Sequence, residues 1–157
     1  VNAFDMTVSR EVAAGPQAVW AVLTDLDGAE QVLSGVTRIE RLSDDGYRVG
    51  TRWRETRTVM KNESTEVMWV AEVDAPRRTV VRSDSNGISY ATTFTLTPIP
   101  TGTNVTVAFA GDYTNPSALT RVLGVLTSAL GRRITRTMLT RDLADIARAA
   151  EAREPER

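Results

Sequence analysis

Residues 88–113 read ISYATTFTLTPIPTGTNVTVAFAGDY. Tyr90, Thr92, Phe94 and Leu96 recur at every second position, and Val105, Val107 and Phe109 do the same beyond Pro100-Thr101-Gly102. Period two is the spacing of a strand whose alternate side chains face opposite ways. A Pro-Thr-Gly reversal between two such runs makes them an antiparallel hairpin over 88–98 and 104–113. Each strand offers one face apolar enough to meet a core, so something must cover that face.

Working back toward the N-terminus, extended runs recur at 36–42, 50–60, 64–73 and 79–83. Turn chemistry separates them at Asp44-Asp45-Gly46, Lys61-Asn62, Asp74-Ala75-Pro76 and Asn86-Gly87. These links are too short for the crossovers that parallel strands need, so the sheet is an antiparallel meander. A first strand covers 4–12 and ends at Gly15-Pro16. Proline suits the first position of a helix, and Val19, Trp20, Val22 and Leu23 follow at helical spacing. Two short helices, 16–24 and 29–33, fill the gap before Gly35. Working forward, 116–150 switches to helical period, with Leu119, Val122, Leu123, Leu126, Leu130, Ile134, Met138, Leu143 and Ile146 as its apolar stripe. At ~1.5 Å per residue this helix is on the order of 50 Å long. Gly124 or Gly131 is expected to mark a bend or a close approach in it. The fold class is α+β, with a long C-terminal helix closing over a curved antiparallel sheet. Residues 1–150 form a single domain, and 151–157, rich in charge, are expected to fray into solvent.

Composition narrows the chemistry. The chain has 157 residues, 41% hydrophobic, with 19 basic and 20 acidic side chains interspersed for a net charge of −1. No field of one sign exists to gather a nucleic-acid backbone, so no nucleic acid is expected as a partner. No apolar run is long enough to span a bilayer, and no secretory pattern opens the chain; a cytoplasmic location is expected. There is no cysteine and no histidine, which removes thiolate chemistry, the commonest proton shuttle and the usual metal ligands. No Gly-rich phosphate loop opens a helix. We therefore expect no cofactor and no metal.

Four stretches carry a family likeness: SREVAAGPQAVWAVLTDLD at 9–27, VGTRWRETR at 49–57, EVDAPRRTV at 72–80, and the closing amphipathic helix. Together with the element order, they make the chain resemble the START-like or SRPBCC superfamily, in particular its polyketide cyclase/dehydrase-like branch. The likeness implies a Bet v 1-like helix-grip fold: a seven-stranded sheet around the last helix, two short helices after the first strand, and a cavity between sheet and helix. Members bind lipids, sterols, plant hormones, quinones and polyketides, while others are aromatases, cyclases or cochaperone domains.

Parity decides which side chains would see such a cavity. Over 50–60, Trp53, Glu55, Arg57 and Val59 share one face, and Arg52, Arg54, Thr56 and Thr58 share the other. The second set is uniformly polar and suits solvent, which turns Glu55 and Arg57 inward. An unpaired buried charge costs several kcal/mol, so these two pair with each other, are hydrated, or meet a ligand's polar end or transfer a proton. Tyr90, Phe94 and Phe109 are also placed inward. Over 64–73, Val67, Trp69, Ala71 and Val73 make the more apolar face; Met68 and Val70 on the other leave both orientations open, with Trp69 inward the favoured one. Arg82 is left open in the same way. Leu123, Leu126, Leu130 and Ile134 of the long helix would form the lid.

Three functions follow from these residues and the resemblance. The leading one is enclosure of a small hydrophobic molecule such as a lipid, polyketide or other aromatic metabolite, without turnover. The second is a cyclase or aromatase in which Glu55, Arg57 or Tyr90 steers proton transfer. The third is a cochaperone-like interaction domain, which would call for a filled interior and an exposed apolar patch. A homodimer stays open.

Overall fold

In the computed structural model residues 2–44, 46–85, 87–113 and 127–153 are described. Among them seven strands form one antiparallel sheet: β1 (Asn2–Val12), β2 (Val36–Arg41), β3 (Arg52–Val59), β4 (Asn62–Asp74), β5 (Arg78–Ser85), β6 (Ile88–Ile99) and β7 (Gly102–Tyr113). The two short helices are α1 (Pro16–Leu23) and α2 (Ala29–Val32), and the long one is α3 (Ala129–Arg153). Every predicted strand is present within two residues of its expected ends. The order across the sheet is β1-β7-β6-β5-β4-β3-β2. From β2 to β7 this is the meander that the turns predict, while β1 closes onto the last strand, Val8 opposite Val107. The first two strands of the chain thus form opposite edges, and α1 and α2 run between them. Seven antiparallel strands gripping a long final helix make the helix-grip fold.

Local chemistry explains the joints. Gly15 precedes Pro16 at the first turn of α1, whose Val19 and Val22 are buried. Gly102 opens β7 at φ +144°, and a Cβ there would stand 2.1 Å from the carbonyl oxygen of Val12. Only glycine lets the β6–β7 turn and the end of β1 approach so closely. Thr103 secures the same joint by donating from Oγ1 to the Ala14 carbonyl at 2.7 Å.

Among the described residues two hydrophobic clusters hold the molecule. One joins β1, α1, β7 and α3 through Met6, Val19, Val107, Leu139, Leu143 and Ile146. The other joins the loop after α1 to the middle strands through Leu26, Trp53, Val70 and Val81. Full burial of each such aliphatic side chain contributes roughly 1.5–3 kcal/mol.

Two expectations change here. Trp69 is on the outer face of β4, where the Arg52 guanidinium lies 5.7 Å from its ring centre. The inner face carries Ser64, Glu66 and Met68. Register is the reason: Trp53 pairs with Met68 and Arg52 with Trp69, so the strand that turns Trp53 inward turns Trp69 outward. Leu130 is 63% exposed, because the buried face of α3 runs through Gly131, Thr135, Leu139, Asp142, Leu143 and Ile146. Gly131 is buried in the first turn of α3. The start of the long helix at Pro116 and the expected positions Leu119, Val122, Leu123, Gly124 and Leu126 lie outside the described residues. At the other end α3 continues to Arg153. Glu151 accepts a hydrogen bond from the Ala13 N–H at 3.1 Å, and Arg153 lies 3.4 Å from Asp25.

Candidate functional site

A cavity of about 310 Å³ lies between the sheet and α3, bounded by both hydrophobic clusters. That is at the lower end of small-molecule sites, and twice the ~150 Å³ of an apolar cavity that admits benzene. The helices contribute Val22, Leu26, Val32, Met138, Leu139 and Ile146 to its wall. The sheet contributes Trp53, Met68, Val81, Phe94, Val107 and Phe109. Tyr90 and Phe109 stack 5.6 Å apart with their planes 3° from parallel, and Phe4 supports both from behind at 6.0 and 5.5 Å. Phe4 can take that place because Gly111 opposite it has no side chain; a Cβ there would meet its ring at 2.4 Å.

Polar groups converge at one part of this apolar wall. Arg57 Nε donates to Glu55 Oε2 at 2.8 Å, while its two terminal nitrogens meet both oxygens of Asp142 at 3.1 and 3.0 Å. This fork joins β3 to α3 across the cavity. All three side chains are largely buried, at 19, 11 and 12% exposure for Arg57, Glu55 and Asp142. Burial disfavours the Arg57 cation, but Asp142 and then Glu55 outweigh it and raise its pKa above the ordinary arginine value. Burial pushes the Asp142 carboxyl up, against the pull of Arg57.

Glu66 is the cross-strand partner of Glu55 and lines the same cavity. It accepts a hydrogen bond from Ser83 Oγ at 3.3 Å. Burial raises its pKa, Ser83 opposes that, and the charge of Glu55 adds to it. Tyr90 is raised as well, by burial first and then by Glu66. At another part of the wall Tyr47 packs edge-on against Trp20 and shares a 2.7 Å hydroxyl hydrogen bond with Thr79.

The structure thus brings Trp53, Glu55, Arg57, Tyr90, Phe94 and Phe109 together in one wall and leaves Trp69 out of it. Leu130 and Ile134 line a second cavity of about 260 Å³, which shares Arg57, Val59, Met138 and Asp142 with the first. Sequence reasoning missed Glu66, Tyr47 and Asp142. Among the described residues no group of three acidic side chains is arranged to hold a metal ion, and no helix is long and apolar enough to cross a membrane.

A family model described as polyketide cyclase / dehydrase and lipid transport matches residues 3–151. A search of curated protein sequences returns no match. Among solved structures the chain is similar to the protein TTHA0849 from Thermus thermophilus, with 21% identity, TM-score 0.78, and 97% of this chain and 100% of that one covered. It is also similar to the di-domain ARO/CYC BexL from the BE-7585A biosynthetic pathway, with 14% identity and TM-score 0.72, where 98% of this chain covers 50% of that one. Norcoclaurine synthase from Thalictrum flavum, solved in complex with dopamine and hydroxybenzaldehyde, gives 16% identity, TM-score 0.74, and 99% and 90% coverage. At these identities the likeness shows the fold.

Proposed function

The chain belongs to the polyketide cyclase / dehydrase and lipid transport family, and on that premise we propose that its cavity encloses one small, largely apolar molecule. The observation that carries this reading is the unfilled space of about 310 Å³ between two otherwise packed clusters. Its wall is mostly aliphatic and aromatic, and the charged groups described in it are gathered at one part, the usual makeup of a site that binds by burial and orients by a few contacts. The cochaperone-like reading called for a filled interior, and the cavity counts against it.

A second reading, a cyclase or aromatase, is favoured by one specific feature. Glu66 faces the cavity beside Tyr90 with its carboxyl held above the ordinary range. A carboxylic acid that keeps its proton in an apolar site can donate it to a guest's oxygen or take it back from carbon.

Native mass spectrometry of the purified protein, followed by thermal-shift screening against fatty acids, sterols, quinones and aromatic polyketides, tests the first reading. One class should raise Tm in proportion to the logarithm of ligand concentration, as binding to the folded state alone requires. Absence of any shift and of any co-purifying mass contradicts it. For the second reading, Glu66→Gln is compared with the parent protein on whichever compound binds. Retained affinity with loss of product supports chemistry, and no product from either protein rules it out for that compound.

A further inference from the structure

Among the described residues, the charged side chains that line the main cavity are Glu55, Arg57, Glu66 and Asp142. Three carboxylates against one guanidinium sum to −2 when all are ionised. The one cation among these described residues is already committed. Each of its three nitrogens faces a carboxylate oxygen of Glu55 or Asp142, so among the described residues no lining cation is free to receive an anionic guest. Glu66 has no such partner: among the described residues no lysine or arginine reaches salt-bridge distance of it, and what it accepts comes from the hydroxyls of Ser83 and Ser85. It is also the register partner of Glu55, which places two carboxylates side by side on the inner face of the sheet. Like charges opposed across a strand pair repel, the more so in a site shielded from water.

We propose that the guest carries one positive charge, an amine on an apolar body, seated between Glu55 and Glu66, and that the cavity refuses carboxylates. This rests on the reading that the cavity holds a guest at all. An ammonium group supplies the cation that Glu66 lacks among the described residues, with up to three donors for the oxygens of two acids. A carboxylate in the same place adds a further negative charge next to a pair that has none to spare. The aromatic stack of Tyr90 and Phe109 then covers the ring system to which the amine is attached. The groups facing Glu66 are Glu55 and Arg57 from β3, Ser83 and Ser85 from β5, and Tyr90 from β6. Without a guest, burial and then the charge of Glu55 favour the protonated form of Glu66; an ammonium seated between the two acids shifts that balance toward the carboxylate.

Three compounds with one ring system separate these terms in isothermal titration calorimetry at pH 7: 2-(1-naphthyl)ethylamine, 2-(1-naphthyl)ethanol and 1-naphthylacetate. The amine should bind about tenfold tighter than the alcohol and the carboxylate about tenfold weaker, the scale of one charge-assisted hydrogen bond. Because an ammonium favours the ionised form of Glu66, amine affinity should rise as pH increases through the titration of Glu66, seen by repeating the calorimetry from about pH 4 to 8. Glu66→Gln should erase the amine's advantage over the alcohol. If the alcohol binds and the carboxylate matches or exceeds the amine, the charge selection is wrong while the cavity reading stands. If the amine's advantage survives in both Glu66→Gln and Glu55→Gln, the proposed seat is wrong. If none of the three binds while the thermal-shift screen finds a guest of another class, this inference falls and the cavity reading stands; if that screen is also empty, both fall.

Discussion

Arg57 is the side chain on which the polar part of the cavity depends. Replacing it by Met leaves Glu55 and Asp142 buried without their shared cation, which should cost about 3–5 kcal/mol in a urea melt. Replacing all three together, Glu55→Gln, Arg57→Met and Asp142→Asn, should recover most of that loss, because no charge is then stranded. Glu66 behaves in the opposite sense. Its folded-state pKa lies above the unfolded value of ~4.3, so the folded protein binds that proton more tightly and stability falls as pH rises between the two values. Glu66→Gln, which cannot ionise, should therefore raise Tm by roughly 2 °C at pH 7, with the difference vanishing below about pH 4 in paired thermal melts. The inward pair of Glu55 and Arg57 was legible from alternation alone, since Arg52, Arg54, Thr56 and Thr58 claim the solvent face. Asp142 was not. A carboxylate on the buried face of a helix reads as a break in the apolar stripe until the arginine facing it is known.

At the level of elements, register decides what hydrophobicity leaves ambiguous. The β3–β4 hairpin turns on Met60 and Lys61, at φ 50° and 68°, and pairs Val59 with Asn62. Any two-residue turn at this point pairs an odd-numbered residue of β3 with an even-numbered one of β4. Once Trp53, Glu55 and Arg57 are placed inward, Glu66 and Met68 must follow and Trp69 must face out. That signal was present in the sequence; comparing the apolar content of the two faces of β4 obscured it, because both carry large side chains. Left-handed backbone at two non-glycine residues is costly, and the turn geometry prefers Asn-Gly. Lys61→Gly should thus stabilise the protein by about 1 kcal/mol, measured by urea denaturation, without altering the cavity. On α3 the stripe was read one residue out of phase at Leu130, which lies beside the buried Gly131. A glycine carries no hydropathy signal, so the buried edge of the helix there is set by packing rather than by composition.

For the whole molecule, turn chemistry and period sufficed for the sheet, since each hairpin is local and, among the described strand pairs, β1–β7 is the one that joins distant segments. The cavity is different in kind. It is space that two clusters leave between them, and no residue pattern announces a missing atom. Filling that space from inside is the direct probe. Thr92, on the cavity face of β6, is flanked by Val81 and Phe109 in the sheet. Thr92→Trp would place an indole in the space meant for the guest while leaving every strand pair intact. The decisive measurement is titration of a neutral fluorescent probe, Nile red, into the parent protein and into Thr92→Trp, with circular dichroism confirming that both are folded. Saturable one-to-one binding to the parent, lost in the filled variant, is the predicted result. Equal binding to both proteins, or no saturable binding to the parent, would contradict an enclosed guest site between sheet and helix.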